Sequence, residues 1–189
     1  MAALASAARQ EILDALAQLG SVSIADLAAA VGRPADGLYY HLRILQRAGL
    51  VEPSGFRETE RGREALVQAA GRDLRIDYDT SRRRNTDELA AVISSMMRLG
   101  IRDFRNAIGN EEIVVSGNHR ELWASRKTGW LSKEELPRVI RSIEDLGRTV
   151  ARPSGKGQLY AITVLFTPLN RPRTANGSSR KRAANSRAK

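Results

Sequence analysis

Two histidines, His41 and His119, and no cysteine leave this chain little with which to attack a carbonyl or bind a soft metal. His119, Glu121 and Ser125 have the residue types of a hydrolytic triad, but residues this close on one strand do not form one by themselves. Nucleophile elbow, paired-carboxylate motif, phosphate loop and metal-ligand spacing are all missing from the sequence. His41 has no companion histidine, cysteine or spaced carboxylate, so partial burial in helix packing, with one ring nitrogen reaching a phosphate, suits it better than ligation. The residues therefore point away from an enzyme and call for no cofactor and no metal.

The chemistry that remains is hydrogen bonding and charge, and it is concentrated in one short stretch. Arg33, Asp36, Gly37, Tyr39, Tyr40, His41, Arg43 and Arg47, with Arg57 a little further on, form the candidate site. Leu38, Leu42 and Leu45 recur at helical spacing and make one buried stripe, which leaves Tyr39, Tyr40, Arg43 and Arg47 on the flanks and outer face. A guanidinium or phenol in that position can meet base edges and phosphates, and at least one of the two tyrosines is expected to touch DNA. Asp36 can help cap the helix start and accept from a cytosine amine. The alternative for Arg43 is a solvated or ion-paired side chain.

The elements around this helix fit the same use. Ser23 is an N-cap with Asp26 three residues on, opening a short helix from Ile24 to Val31. Gly32-Arg33 makes a tight turn, Pro34 suits a first helical turn, and Gly49 ends the second helix before a strand at Leu50-Val51. Two short helices joined by a compact turn are the helix-turn-helix layout, whose second helix enters the major groove. The stretch LAAAVGRPADGLYYHLRILQRAGLVE resembles the winged helix-turn-helix of ArsR-type bacterial transcription regulators. Their recognition helix commonly ends in His-Leu, two further residues, Leu and then Ala-Gly-Leu-Val. The resemblance covers roughly residues 8–75 and implies binding of double-stranded DNA by a homodimer, with repression or activation as the outcome. Metal-sensing members use a cysteine pair on the helix before the recognition helix, and its absence here removes thiolate-metal sensing from what the resemblance implies.

The net charge of +10 looks like a nucleic-acid footprint, yet residues 1–60 carry a net of −2 and the last 19 residues carry +7. Attraction of DNA to the helix-turn-helix must then come from a one-sided arrangement of Arg33, Arg43, Arg47 and Arg57. The acidic balance also supports a second reading, a winged helix used as a protein-interaction module with nonspecific nucleic-acid affinity from the tail. No run approaches the length of a membrane span, and the N-terminus lacks a signal layout, so a cytoplasmic protein without membrane attachment is expected.

The remaining chain is read as support. Residues 5–19 form a first helix with Ala8, Ile12, Ala15, Leu16 and Leu19 on one face. Leu50–Pro53 and Phe56–Thr59 form a short wing turning at Ser54-Gly55, with Arg57 near its tip or return strand, and Thr59 caps a helix running from Glu60 towards Arg75. A polar, arginine-rich junction covers 77–86. Thr86 then caps a long helix whose apolar side (Leu89, Val92, Ile93, Met96, Met97, Ile101, Phe104 and Ile108) needs a partner subunit or the C-terminal half to cover it. Beyond Gly109 the texture is that of a hairpin over 112–126, a helix from Ser132 to Val150 and a strong strand at Leu159–Phe166. Trp123, Trp130 and Tyr160 are either core of that unit or the lining of a pocket for a small-molecule effector. The expected fold is α+β and mostly helical. It has a winged helix-turn-helix at 1–80, a linker and dimerisation helix at 81–110, a small α+β domain at 111–170, and a basic disordered tail at 171–189.

Overall fold

The computed structural model describes residues 2–60, 62–71, 83–151 and 157–169, with the side chains of its longest helix described from Thr86 onward. A 3-10 turn at Ala2–Leu4 precedes α1 (Ala7–Leu19), β1 (Val22–Ser23), α2 (Ile24–Val31), α3 (Ala35–Arg47), β2 (Val51–Thr59), β3 (Gly62–Ala69), α4 (Arg83–Ile108) and α5 (Leu136–Val150). The fold is α+β and mostly helical, and its N-terminal part is a winged helix-turn-helix.

The three N-terminal helices pack around one core. Ile12, Leu13 and Leu16 from α1, Leu27 and Ala28 from α2, Leu38, Leu42 and Leu45 from α3, and Val51 and Val67 from the sheet are its buried residues. The α3 stripe lies where helical spacing predicts. On α1 the inward face is rotated, so that Leu13 is buried while Leu19, beside the Gly20 stop, stays 47% exposed. Ser23 caps α2 as expected, its Oγ accepting from the Asp26 N–H at 3.1 Å. Gly32 turns the chain in the left-handed region at φ 63°, a conformation that costs a side-chain-bearing residue energy.

The wing differs from the sequence expectation. β2 runs unbroken from Val51 to Thr59 and pairs antiparallel with β3, while β1 pairs with the other edge of β3. Ser54-Gly55 is therefore not a turn. The register shifts between Pro53 and Gly55, a β-bulge that Gly55 accommodates at φ 115°. Nor does a helix begin at Glu60. Residues 62–69 form β3, and the Thr59 hydroxyl, instead of capping, donates to the Gly62 carbonyl at 2.8 Å. Ala65, Leu66 and Ala69 fit a helical spacing, but β1 and β2 satisfy the backbone of β3 from both sides, and long-range pairing overrides that local pattern.

α4 begins at Arg83, upstream of the expected Thr86 cap, and takes up part of the arginine run; residues 72–82 lie outside the described residues. It packs on α1 and the N-terminal turn through Val92, Ser95 and Leu99, and the Val92 carbonyl accepts from Gln10 Nε2 at 3.2 Å. The rest of its apolar side is less covered, with Ile101 54% and Ile108 61% exposed.

In the C-terminal half the described residues contain α5 but no strand. The expected hairpin over 112–126 is reduced to one turn, in which Glu121 N–H donates to the Val114 carbonyl at 2.7 Å and Glu121 Oε2 accepts from Val114 N–H at 2.8 Å. Residues 158–169 form no helix, turn or ladder. A strand exists only where a neighbour takes its backbone groups, and no neighbour for these segments lies within the described chain. The capping box expected at Ser132 does form: Ser132 Oγ accepts from Glu135 N–H, and Glu135 Oε2 accepts from Ser132 N–H at 2.8 Å. Pro137, in the first helical turn, moves the helix proper to Leu136. Trp123 and Trp130, each 69% exposed, and Tyr160, 46% exposed, are not buried as a core among the described residues.

Candidate nucleic-acid interface

With Leu38, Leu42 and Leu45 inside, the opposite face of α3 is fixed. Asp36, Tyr39, Tyr40, Arg43, Gln46 and Arg47 stand in solvent on it. Tyr39 is 52% and Tyr40 65% exposed, large fractions for aromatic side chains. Arg43 and Arg47 have no hydrogen-bond or ion-pair partner among the described residues, so two forked cations are presented without an internal counter-charge. Gly37 lies one turn before Tyr40, exposed, with open space where a Cβ would be.

The other two expected arginines are placed differently. Arg33 donates from Nε and Nη2 to Glu11 Oε2 at 3.0 and 2.8 Å, which ties the turn before α3 to α1. Arg57 lies in β2 opposite Glu64, not at the wing tip, and its guanidinium meets Glu64 at 2.8 Å and Asp26 at 2.9 Å. The hydrogen bond it donates to Glu64, then that to Asp26, raises its already high pKa. In the fold both side chains are ion-paired, Arg33 linking the turn to α1 and Arg57 linking the wing to the first turn of α2. The wing tip itself carries Glu58 and Glu60.

His41 is partly buried. Its Nδ1 has no partner among the described residues, and its ring meets Tyr40 edge-on at a centroid distance of 5.5 Å. Desolvation, followed by the positive charges of Arg9 and Arg33, lowers its pKa below the ordinary 6.5. It is a neutral packing residue at pH 7 and not an additional cation. Among the described residues no cluster of His, Asp and Glu could hold a metal ion.

Between α3 and the wing lies a shallow apolar concavity of about 330 Å³, lined by Tyr39, Arg43, Gln46, Pro53, Phe56 and Leu66 among others. Phe56 is 58% exposed, and the Arg63 guanidinium sits 3.8 Å above its ring. The sequence reading missed Gln46, Phe56 and Arg63. Gln46 was visible in principle as the residue one turn beyond Arg43. Arg63 was not, because its strand had been read as a helix.

Residues 4–53 match a family model described as a helix-turn-helix domain. No curated protein matches the chain. Among the described residues no helix is long and apolar enough to cross a membrane. The matched segment runs from the N-terminal turn through α3 into β2, and with the hairpin completed by β3 it has the winged helix-turn-helix fold.

Proposed function

We propose that this chain is a sequence-specific regulator of transcription, most simply a repressor, that binds double-stranded DNA as a homodimer on an inverted repeat. One observation carries the reading. The outward face of α3 presents Tyr39, Tyr40, Arg43 and Arg47 with no hydrogen-bond or ion-pair partner among the described residues, while Arg33 and Arg57 are occupied by carboxylates. An unpaired guanidinium on an exposed helix face is suited to guanine O6/N7 or to phosphate, and a tyrosine beside it to phosphate or a thymine methyl. In this reading Arg43 and the tyrosines meet base edges, Arg47 meets phosphate, and two copies of α3 sit about one DNA turn apart, roughly 34 Å. The assignment needs neither catalysis nor a cofactor, and it places the protein in the cytoplasm.

Selection of binding sites from a random duplex pool, repeated with Arg43→Ala and across a salt series, tests it. The expected result is an enriched inverted repeat that the variant no longer selects, with a specific affinity loss corresponding to about 1–3 kcal/mol. Uniform, steeply salt-dependent binding that is indifferent to Arg43 would overturn it. The acidic balance of residues 1–60 favours one other reading, a protein-interaction module. Deleting residues 171–189 separates the two, because specific binding that survives the deletion cannot come from the tail.

A further inference from the structure

The C-terminal half carries more apolar surface than one copy of the chain covers. Between Ile101 and Leu169, seventeen large apolar side chains are 39–71% exposed. At roughly 70 Å² of uncovered surface apiece, they exceed the ~800 Å² per partner of a standard protein interface. The densest part is the segment 157–169, which reads Leu-Tyr-Ala-Ile-Thr-Val-Leu-Phe from 159 to 166 and contains no charged residue.

This segment is held in place on its own chain. A Cβ at Gly100, in the middle of α4, would lie 2.8 Å from Thr163 Oγ1 and 3.2 Å from Thr163 Cβ, so α4 has a notch that seats the segment. Farther along, the Tyr160 hydroxyl donates to Glu121 Oε1 at 2.7 Å. Yet from Leu159 to Leu169 the main chain makes no backbone–backbone hydrogen bond with any described residue. A β-competent, uncharged segment whose main chain finds no main-chain partner among the described residues offers an edge that another chain can complete.

We propose that Leu159–Phe166 is an interchain strand, completed by a second copy of this chain. The absence of charge matters to the choice of partner. Antiparallel pairing about a two-fold axis sets the segment against itself, and no like charges meet there. The uncovered area is of the size a stable dimer needs, and the exposed apolar side of α5, with Leu136, Ile140 and Leu146, lies in the same half of the chain. Pro168 limits the length of the ladder because it has no N–H to donate. The proposal shares the homodimer with the function proposed above but is independent of DNA recognition.

The test uses the full chain without DNA, and its natural lack of cysteine makes a single-cysteine scan clean. Light scattering should give twice the 20.8 kDa chain mass. Cysteine placed singly at each position from Leu159 to Phe166 should form disulfide-linked dimers most strongly at one or two positions next to the two-fold axis, because only there do the Cβ atoms come within bonding reach. Glu58→Cys, at the wing tip, should stay largely uncrosslinked. The double variant Ile162→Pro/Val164→Pro should fall to the monomer mass while helical circular dichroism is retained. A monomeric natural chain would overturn the proposal. So would a dimer whose scan never exceeds the Glu58→Cys control, a dimer that survives both prolines, or open-ended association into fibres. Failure to select a DNA operator would leave these readings unaffected.

Discussion

Glu11 joins three elements, and its replacement tests the energetics of the domain. Its Oε2 accepts from Arg33 at the turn before α3, and its Oε1 accepts from Arg102 of α4 at 2.6 Å; Arg102 also meets Asp103 at 2.7 Å. The Glu11 side chain is 17% exposed, against 39% for Arg33 and 41% for Arg102. Breaking a fully buried pair costs about 3–5 kcal/mol and an exposed one about 0.2–1 kcal/mol. Glu11→Gln keeps one acceptor oxygen and the packing, so a loss of about 1–2.5 kcal/mol is expected near neutral pH. Burial pushes the Glu11 carboxyl pKa up, but the hydrogen bonds from Arg102 and Arg33 outweigh it and leave the group below its ordinary 4.5. A group depressed in the fold stabilises above its unfolded pKa and loses that contribution as pH falls through the folded value. Asp14 works in the opposite sense. Desolvation, then Asp103 and Glu11, push its carboxyl up to about 6, which costs stability above that pH and is partly relieved in the variant. Asp14 still keeps solvent contact, so its share is the smaller one. The gap between natural chain and variant should therefore be widest between 4.5 and 6 and should close below 4.5. Urea unfolding at fixed protein concentration across that range measures it. A gap under about 0.5 kcal/mol throughout, or one that persists undiminished to about pH 3, would refute the reasoning.

Two further outcomes follow from particular contacts. Gly100→Ala gains about 1 kcal/mol of helix propensity but drives a methyl into Thr163, so alone it should be neutral or destabilising; in a Thr163→Ala background it should stabilise, and additive behaviour in the cycle would remove the notch. Arg47→Gln should reduce the slope of log affinity against log salt by about one, as loss of a phosphate contact does, while Arg57→Gln should change it much less, because Asp26 and Glu64 already neutralise that guanidinium. Equal slope changes for the two would show that Arg57 turns to the backbone in the complex.

The two halves of the molecule were unequally legible. Ser23 capping α2, Gly32 turning the chain, the Leu38, Leu42 and Leu45 stripe and the capping box of Ser132 with Glu135 are all set by residues within a few positions of one another. So is the outward face of α3, since burying one side of a helix dictates the other. The pairing of an arginine with a distant carboxylate is not local. Arg33 and Glu11 are separated by 22 residues and Arg57 and Asp26 by 31, and only the fold brings them together. That is why the sequence does not show which of Arg33, Arg43, Arg47 and Arg57 are ion-paired, and only the fold leaves Arg43 and Arg47 without a partner among the described residues.

The sequence by itself determined the helix-turn-helix, its core stripe and the residues its second helix offers to a partner, because helical period, caps and turns are short-range physics. Tertiary structure decided the rest. Residues 62–69 became a strand because β1 and β2 flank them, and Ser54-Gly55 became a bulge because β2 continues through it. Residues 159–166 have strong strand character yet join no sheet among the described residues, since a strand is a property of two neighbouring segments and composition supplies only one of them.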